Sequence, residues 1–145
     1  MLKKISIILI LTLCFLQKNL AEIVNIGIYH KSKISSFVFL PKEGNYSVFT
    51  EKGKLIDIDK SDVLELTYLN NLISIKSLDK DYGSFKKVKF VGTSWQNSFK
   101  IKRAGSKKIK TFEDNLFVNL HNYYDYLQLI NNIYIDNYVA GVVES

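Results

Sequence analysis

Val63-Leu64-Glu65-Leu66-Thr67-Tyr68-Leu69-Asn70-Asn71-Leu72-Ile73-Ser74-Ile75-Lys76-Ser77-Leu78 is the stretch that decides the fold. From Val63 to Tyr68 apolar and polar residues alternate, with Leu64, Leu66 and Tyr68 on one face and Glu65 and Thr67 on the other. A period of two belongs to a strand with one buried face, because successive side chains point to opposite sides of a sheet. Asn70-Asn71 then separates this run from the next, and asparagine tolerates the positive φ that a two-residue hairpin requires. The stretch predicts a hairpin of two strands, Val63–Tyr68 and Leu72–Leu78.

The same texture extends in both directions. Upstream, Ile23–Tyr29, Ile34–Leu40, Tyr46–Thr50 and Leu55–Ile58 are short runs rich in Ile, Val, Phe and Tyr. They are bounded by the turn residues His30–Lys33, Glu43-Gly44-Asn45 and Lys52-Gly53. Downstream, Val88 and Phe90 alternate with Lys87 and Lys89, and Phe99 and Ile101 with Lys100 and Lys102. Leu116, Val118 and Leu120 repeat the pattern, and a strand is expected over Tyr124–Tyr134. No helical period precedes the last ten residues. The expected fold is mainly β: antiparallel strands and hairpins, with one short C-terminal helix over Asp136–Ser145. No internal repeat or low-complexity linker interrupts the chain, whose single proline is Pro41. The polar stretch Arg103–Lys110 is the best boundary, dividing a β-rich region, 22–105, from a denser aromatic segment, 106–145.

Lys3 and Lys4 open the chain and an apolar run follows from Ile5 to Leu16. That run is shorter than the roughly 20 residues of a membrane span and matches the apolar core of a secretory signal peptide. The signal is expected to occupy 1–21, with cleavage after Ala21, and Cys14 is apolar filler within it because Leu13 stands where a lipidated cysteine needs a small neighbour. The expected location is outside the cytoplasm: periplasmic, cell-wall associated or extracellular, with no stable membrane span after cleavage. Of 20 basic and 14 acidic side chains, Lys3, Lys4 and Lys18 leave with the signal, so the mature balance is 17 minus 14, or +3. The alkaline character is thus partly a targeting feature, and no nucleic-acid partner is expected. The mature chain has no cysteine, hence no disulfide framework. With only His30 and His121 besides, it offers little for a protein-bound zinc, and no metal or cofactor is expected.

Two further features have competing readings. Lys86, Lys87, Lys89, Lys100, Lys102, Arg103, Lys107, Lys108 and Lys110 stand together without an acidic residue among them. They form either a patch for envelope polyanions or the solvated faces of two strands, and their alternation favours the second. Phe112, Phe117, Tyr123, Tyr124, Tyr126, Tyr134 and Tyr138 crowd the C-terminal third. Aromatic faces stack on sugars, but tyrosine is also a favoured strand residue, and the spacing of Tyr124 and Tyr126 reads as core. Trp95 differs: it lies in a Gly92–Ser98 turn, which makes it the candidate glycan contact. His30 and His121 end strands and belong to no triad pattern.

The C-terminal run Leu129-Ile130-Asn131-Asn132-Ile133-Tyr134-Ile135-Asp136-Asn137-Tyr138-Val139-Ala140-Gly141-Val142-Val143-Glu144-Ser145 resembles the opening of the SpoIID/LytB domain family. An apolar strand, an asparagine (Asn131 or Asn132), Asp136, Tyr138, Gly141, Val142 and Val143 occupy the positions of that family's motif, and Phe112–Leu120 resembles its lead-in strand. The match is specific from Phe112 onward and only general before it. On local physics Asp136 is a good N-cap, while Tyr138/Val142 and Val139/Val143 are i, i+4 apolar pairs. Val142-Val143 could equally be one more strand. The resemblance implies a peptidoglycan lytic transglycosylase, in which a glutamate protonates the glycosidic oxygen and the sugar's own hydroxyl closes an anhydro ring. It places that glutamate three residues after the second valine of the Gly-Val-Val motif, one residue past Ser145. Glu144 stands two places early, which on a helix turns its side chain by about 200°, and takes no catalytic role. The expected protein is therefore the N-terminal part of an exported enzyme acting on peptidoglycan glycan strands, inactive as given. The rival is a non-catalytic β-rich envelope module that binds glycan or a protein partner.

Overall fold

The computed structural model describes residues 22–144. Residues 1–21, over which a signal segment with Cys14 inside it is expected, and Ser145 lie outside the described residues. In chain order the elements are β1 (Ile23–Ile28), β2 (Ser36–Glu43), β3 (Tyr46–Thr50), β4 (Gly53–Ile58), β5 (Leu64–Leu69), β6 (Leu72–Lys76), β7 (Asp81–Phe85), β8 (Lys87–Gly92), β9 (Ser98–Arg103), β10 (Ile109–Glu113), β11 (Asn115–Leu120), β12 (Leu127–Tyr134) and the helix α1 (Ile135–Glu144). They form two six-stranded sheets, ordered β1-β12-β11-β8-β3-β4 and β10-β9-β2-β5-β6-β7. All named pairings are antiparallel. The protein is mainly β, with one short C-terminal helix, as the alternation predicts.

Alternation also locates the core. Leu64 and Leu66, Val88 and Phe90, Phe99 and Ile101, and Leu116 and Val118 are all buried, from both sheets. They belong to one cluster, in which Phe39 of β2 stacks on Phe90 of β8 at 3.9 Å between ring centroids. The sheets therefore pack face to face as a sandwich. β10 pairs with β9 and β11 with β8, so strands on either side of residues 105–106 share both sheets and one core. The β5–β6 turn is the expected two-residue hairpin, with φ of 52° at Asn70 and 60° at Asn71.

Several boundaries differ from expectation, each for a local reason. β2 runs past Leu40 through Pro41 to Glu43, because its pairing with β5 covers only Ser36–Phe39 and Pro41 lies beyond it beside a register shift. A proline is tolerated where one side of the ladder has ended. β7 and β10 are sheet-edge strands in which most side chains are exposed or half-buried, so no clean alternation announces them. Phe112–Leu120 is two strands, since Asp114 takes a φ of 62° between β10 and β11. The last strand begins at Leu127, and Tyr123 and Tyr124 are exposed loop residues rather than core. Finally, α1 starts at Ile135, which puts Asp136 inside its first turn and not at the N-cap. There it still faces the positive end of the helix dipole.

Candidate functional site

The residues that carry the SpoIID/LytB resemblance sit where β12 leaves the sandwich and becomes α1. Val142 and Val143 are helical, which closes the choice between helix and strand. The junction is built on Asp114, whose buried carboxylate accepts the Tyr134 backbone N–H at 2.9 Å and the Asn137 Nδ2 at 3.0 and 3.1 Å. The Ile135 N–H donates to the Glu22 carbonyl at 2.9 Å. Donors at the helix start, which have no partner inside the helix, are thereby satisfied.

Between α1 and the sandwich lies an open groove of about 320 Å³, walled by Ile26, Phe112, Ile133, Tyr138, Gly141 and Val142 among others. Tyr138, Val139, Val142 and Val143 are 41%, 52%, 57% and 80% exposed. An ideal Cβ at Gly141 would meet no atom within 4 Å, so nothing among the described residues requires a glycine there. Gly141→Ala is expected to raise the thermal midpoint by stabilising α1, by up to about 1 kcal/mol; an unchanged or lower midpoint would contradict this.

Glu113 and Asn137, neither singled out from sequence, also reach the groove. Partial burial, and then the neighbouring Asp114 and Glu43, push the Glu113 carboxyl above its ordinary pKa against the opposing pull of Lys42. The Glu113-Asp114 acidic pair beside Asn115 was the only sequence signal of this corner. Tyr46 closes it from within: its hydroxyl donates to the Asp114 carbonyl at 2.8 Å, and burial followed by Asp114, Glu113 and Glu43 raises its pKa.

Asn131 and Asn132, either of which stands for the asparagine of the resembled motif, both have structural partners. Asn131 Nδ2 donates to the carbonyls of Glu113 at 2.7 Å and Asn115 at 2.9 Å. Asn132 stands in a ladder across the sheet, donating to Asn25 Oδ1 at 2.7 Å and accepting from Asn115 Nδ2 at 3.0 Å. Asn115 Oδ1 in turn accepts the Gly92 N–H at 2.9 Å.

Trp95 is 98% exposed at the tip of the β8–β9 loop. The loop itself is firmly held. Asn97 packs against Gly92 so closely that a Cβ there would overlap its side chain, and a Cβ on Gly44, already at φ 70°, would come within 2.5 Å of the Gln96 carbonyl. Asp114 donates its N–H to the Asn97 carbonyl at 2.9 Å, which ties the Trp95 loop to the α1 junction at the same end of the sandwich. Trp95 is not among the walls of the groove.

The cationic stretch is dispersed. Lys87 and Lys89 alternate with buried Val88 and Phe90 and so project from the outer face of one sheet; Lys100 and Lys102 alternate with buried Phe99 and Ile101 and project from the other. Arg103 and Lys110 instead lie over the Tyr29 ring, at 4.6 and 5.5 Å from its centroid. This arrangement supports the solvated-face reading. Among the described residues no group of three or more His, Cys, Asp or Glu side chains could hold a metal ion, and no helix is long and apolar enough to cross a membrane.

Comparison with family models, curated proteins and solved structures returned no match. The SpoIID/LytB resemblance therefore stands on the motif residues alone.

Proposed function

We propose that this chain is the N-terminal portion of an exported SpoIID/LytB-like protein acting on peptidoglycan glycan strands, in which the sandwich is a non-catalytic module. The observation that carries the reading is the placement of the motif. Asp136, Tyr138, Gly141, Val142 and Val143 lie on one helix that leaves the sandwich directly from its last strand, with exposed apolar side chains and an open position at Gly141. A helix with that surface suits packing against further protein, as the first helix of a catalytic region would. In that arrangement the sandwich supplies attachment to the glycan and the acid comes from outside residues 1–145.

Protonating a glycosidic oxygen needs a carboxyl held protonated and aimed at the leaving group, together with a surface that positions the sugar. Glu113 has a raised pKa, but it lines an apolar groove and is assigned no catalytic role. The expected outcome is that the purified mature chain sediments with peptidoglycan sacculi yet releases no anhydro-muropeptides from denuded glycan strands. Release that Glu144→Gln abolishes would make Glu144 the acid and overturn the register. Failure to sediment would remove the glycan reading and leave the envelope module that binds a protein.

A further inference from the structure

The end of the sandwich opposite α1 carries a group of rings that the core does not use. Tyr124 and Tyr126 are nearly parallel, 10° apart with centroids at 5.6 Å, and His121 lies 4.5 Å from Tyr126 and 5.1 Å from Tyr124. Tyr124 is 58% exposed and Tyr123 85%. Beside the rings is a pocket of about 240 Å³, whose walls include Tyr29, His30, Ser32, His121, Tyr126 and Gln128. The fold thus brings the two histidines of the chain to one cavity.

Resting on the glycan-strand reading above, we propose that this loop and pocket form a sugar-stacking subsite for a β-linked N-acetylhexosamine strand. One pyranose lies on the exposed Tyr124 ring, which Tyr126 backs, and its hydroxyl or acetamido groups reach the polar rim. Three features support it. First, the rings are apolar platforms with polar tips, matched to a ligand that has a C–H face and hydroxyl edges.

Second, the loop is already ordered. His121 N donates to the Tyr126 carbonyl at 3.1 Å, Tyr126 N to the Tyr124 carbonyl at 2.9 Å, and Leu127 N to the Ile34 carbonyl at 2.7 Å. Tyr68 Oη donates to Asp125 Oδ1 at 3.0 Å and pins the loop tip to β5 of the facing sheet. A loop held this way loses little freedom on binding.

Third, the chemistry of the rim selects. The pocket falls below the roughly 300–1,000 Å³ of a site that encloses a drug-sized ligand, and suits a single ring. Its polar groups are a serine hydroxyl, a glutamine amide and imidazoles, with the Arg103 guanidinium donating to that Ser32 hydroxyl at 2.9 Å, a mixed set of donors and acceptors that fits the hydroxyl and acetamido groups of a sugar.

The test titrates the full exported chain with a soluble tetramer of β-1,4-linked N-acetylglucosamine, followed by NMR, alongside sacculus sedimentation. Tyr124→Ala and Tyr126→Ala are each expected to weaken binding tenfold or more at unchanged thermal midpoint. Tyr124→Phe should retain most binding, and Leu78→Ala, in the exposed β6–β7 loop, should leave it unaltered. If Tyr126→Ala lowers the midpoint, Tyr124→Ala and Tyr124→Phe decide. Sedimentation that persists in both alanine variants, with tetramer binding absent or unaltered, overturns the subsite while the glycan reading stands. Loss of both signals in the unmutated chain overturns both.

Discussion

Phe39→Ala is expected to destabilise the protein by about 3–5 kcal/mol, the usual range for truncating a buried phenylalanine. Phe39 is fully buried and stacks on Phe90 at 3.9 Å and on Phe99 at 5.0 Å, with Tyr46 edge-on at 5.3 Å. Phe90 and Tyr46 come from one sheet and Phe39 and Phe99 from the other, so the ring bridges the two layers. Removing it leaves a void that strands fixed on both sides by hydrogen bonds are slow to fill. Since a domain of this size has roughly 5–15 kcal/mol in all, the urea midpoint should fall by about a fifth or more. Phe39→Leu should lose much less. A drop for Phe39→Ala below about 1 kcal/mol would mean that the sheets do not meet at this ring.

Asp114→Ala is expected to cost about 2–5 kcal/mol, from two sources that can be separated. Holding alanine at φ 62° costs about 1–2 kcal/mol. Withdrawing the carboxylate leaves the Tyr134 N–H and the Asn137 amide without their acceptor, worth a further 1–3 kcal/mol. Asp114→Gly removes the backbone strain and keeps the second loss, so the Ala–Gly difference measures the first. Hydrogen exchange supplies the local readout: amides from Ile135 to Val139 should lose protection in both variants while β5 and β6 keep theirs. Unchanged protection in α1 would show that the helix is held by its groove contacts and not by Asp114.

How much of this was legible in the sequence depended on burial. Strands with one buried face, such as Leu64–Leu69 and Lys87–Gly92, announce themselves because the core imposes a period of two. Asp81–Phe85 does not, since only Phe85 is buried and Gly83 breaks the pattern. Tyr124 and Tyr126 misled in the opposite sense. Their type and spacing are those of a strand, yet they stack on each other and on His121 outside the core. The exposed position of Trp95 followed from its turn, whereas the i, i+4 pairs allowed a helix over Asp136–Val143 without excluding one more strand at Val142-Val143. Neither the Asp114 clamp nor the meeting of His30 and His121 could be read locally, because both depend on which strands become neighbours.

The pairing of β1 with β12 has a consequence in time rather than in space. β1 is an edge strand whose neighbour is β12, so Asn25 meets Asn132 at a sequence separation of 107 residues. Contacts of that separation form late, because a long loop must close before they stabilise anything. A chain emerging N-terminus first therefore presents its first strand with no place to dock until nearly the whole sequence has followed. Docking of β1 is thus the step that waits for β12, while hairpins such as β5–β6 close across a two-residue turn as soon as both strands are present.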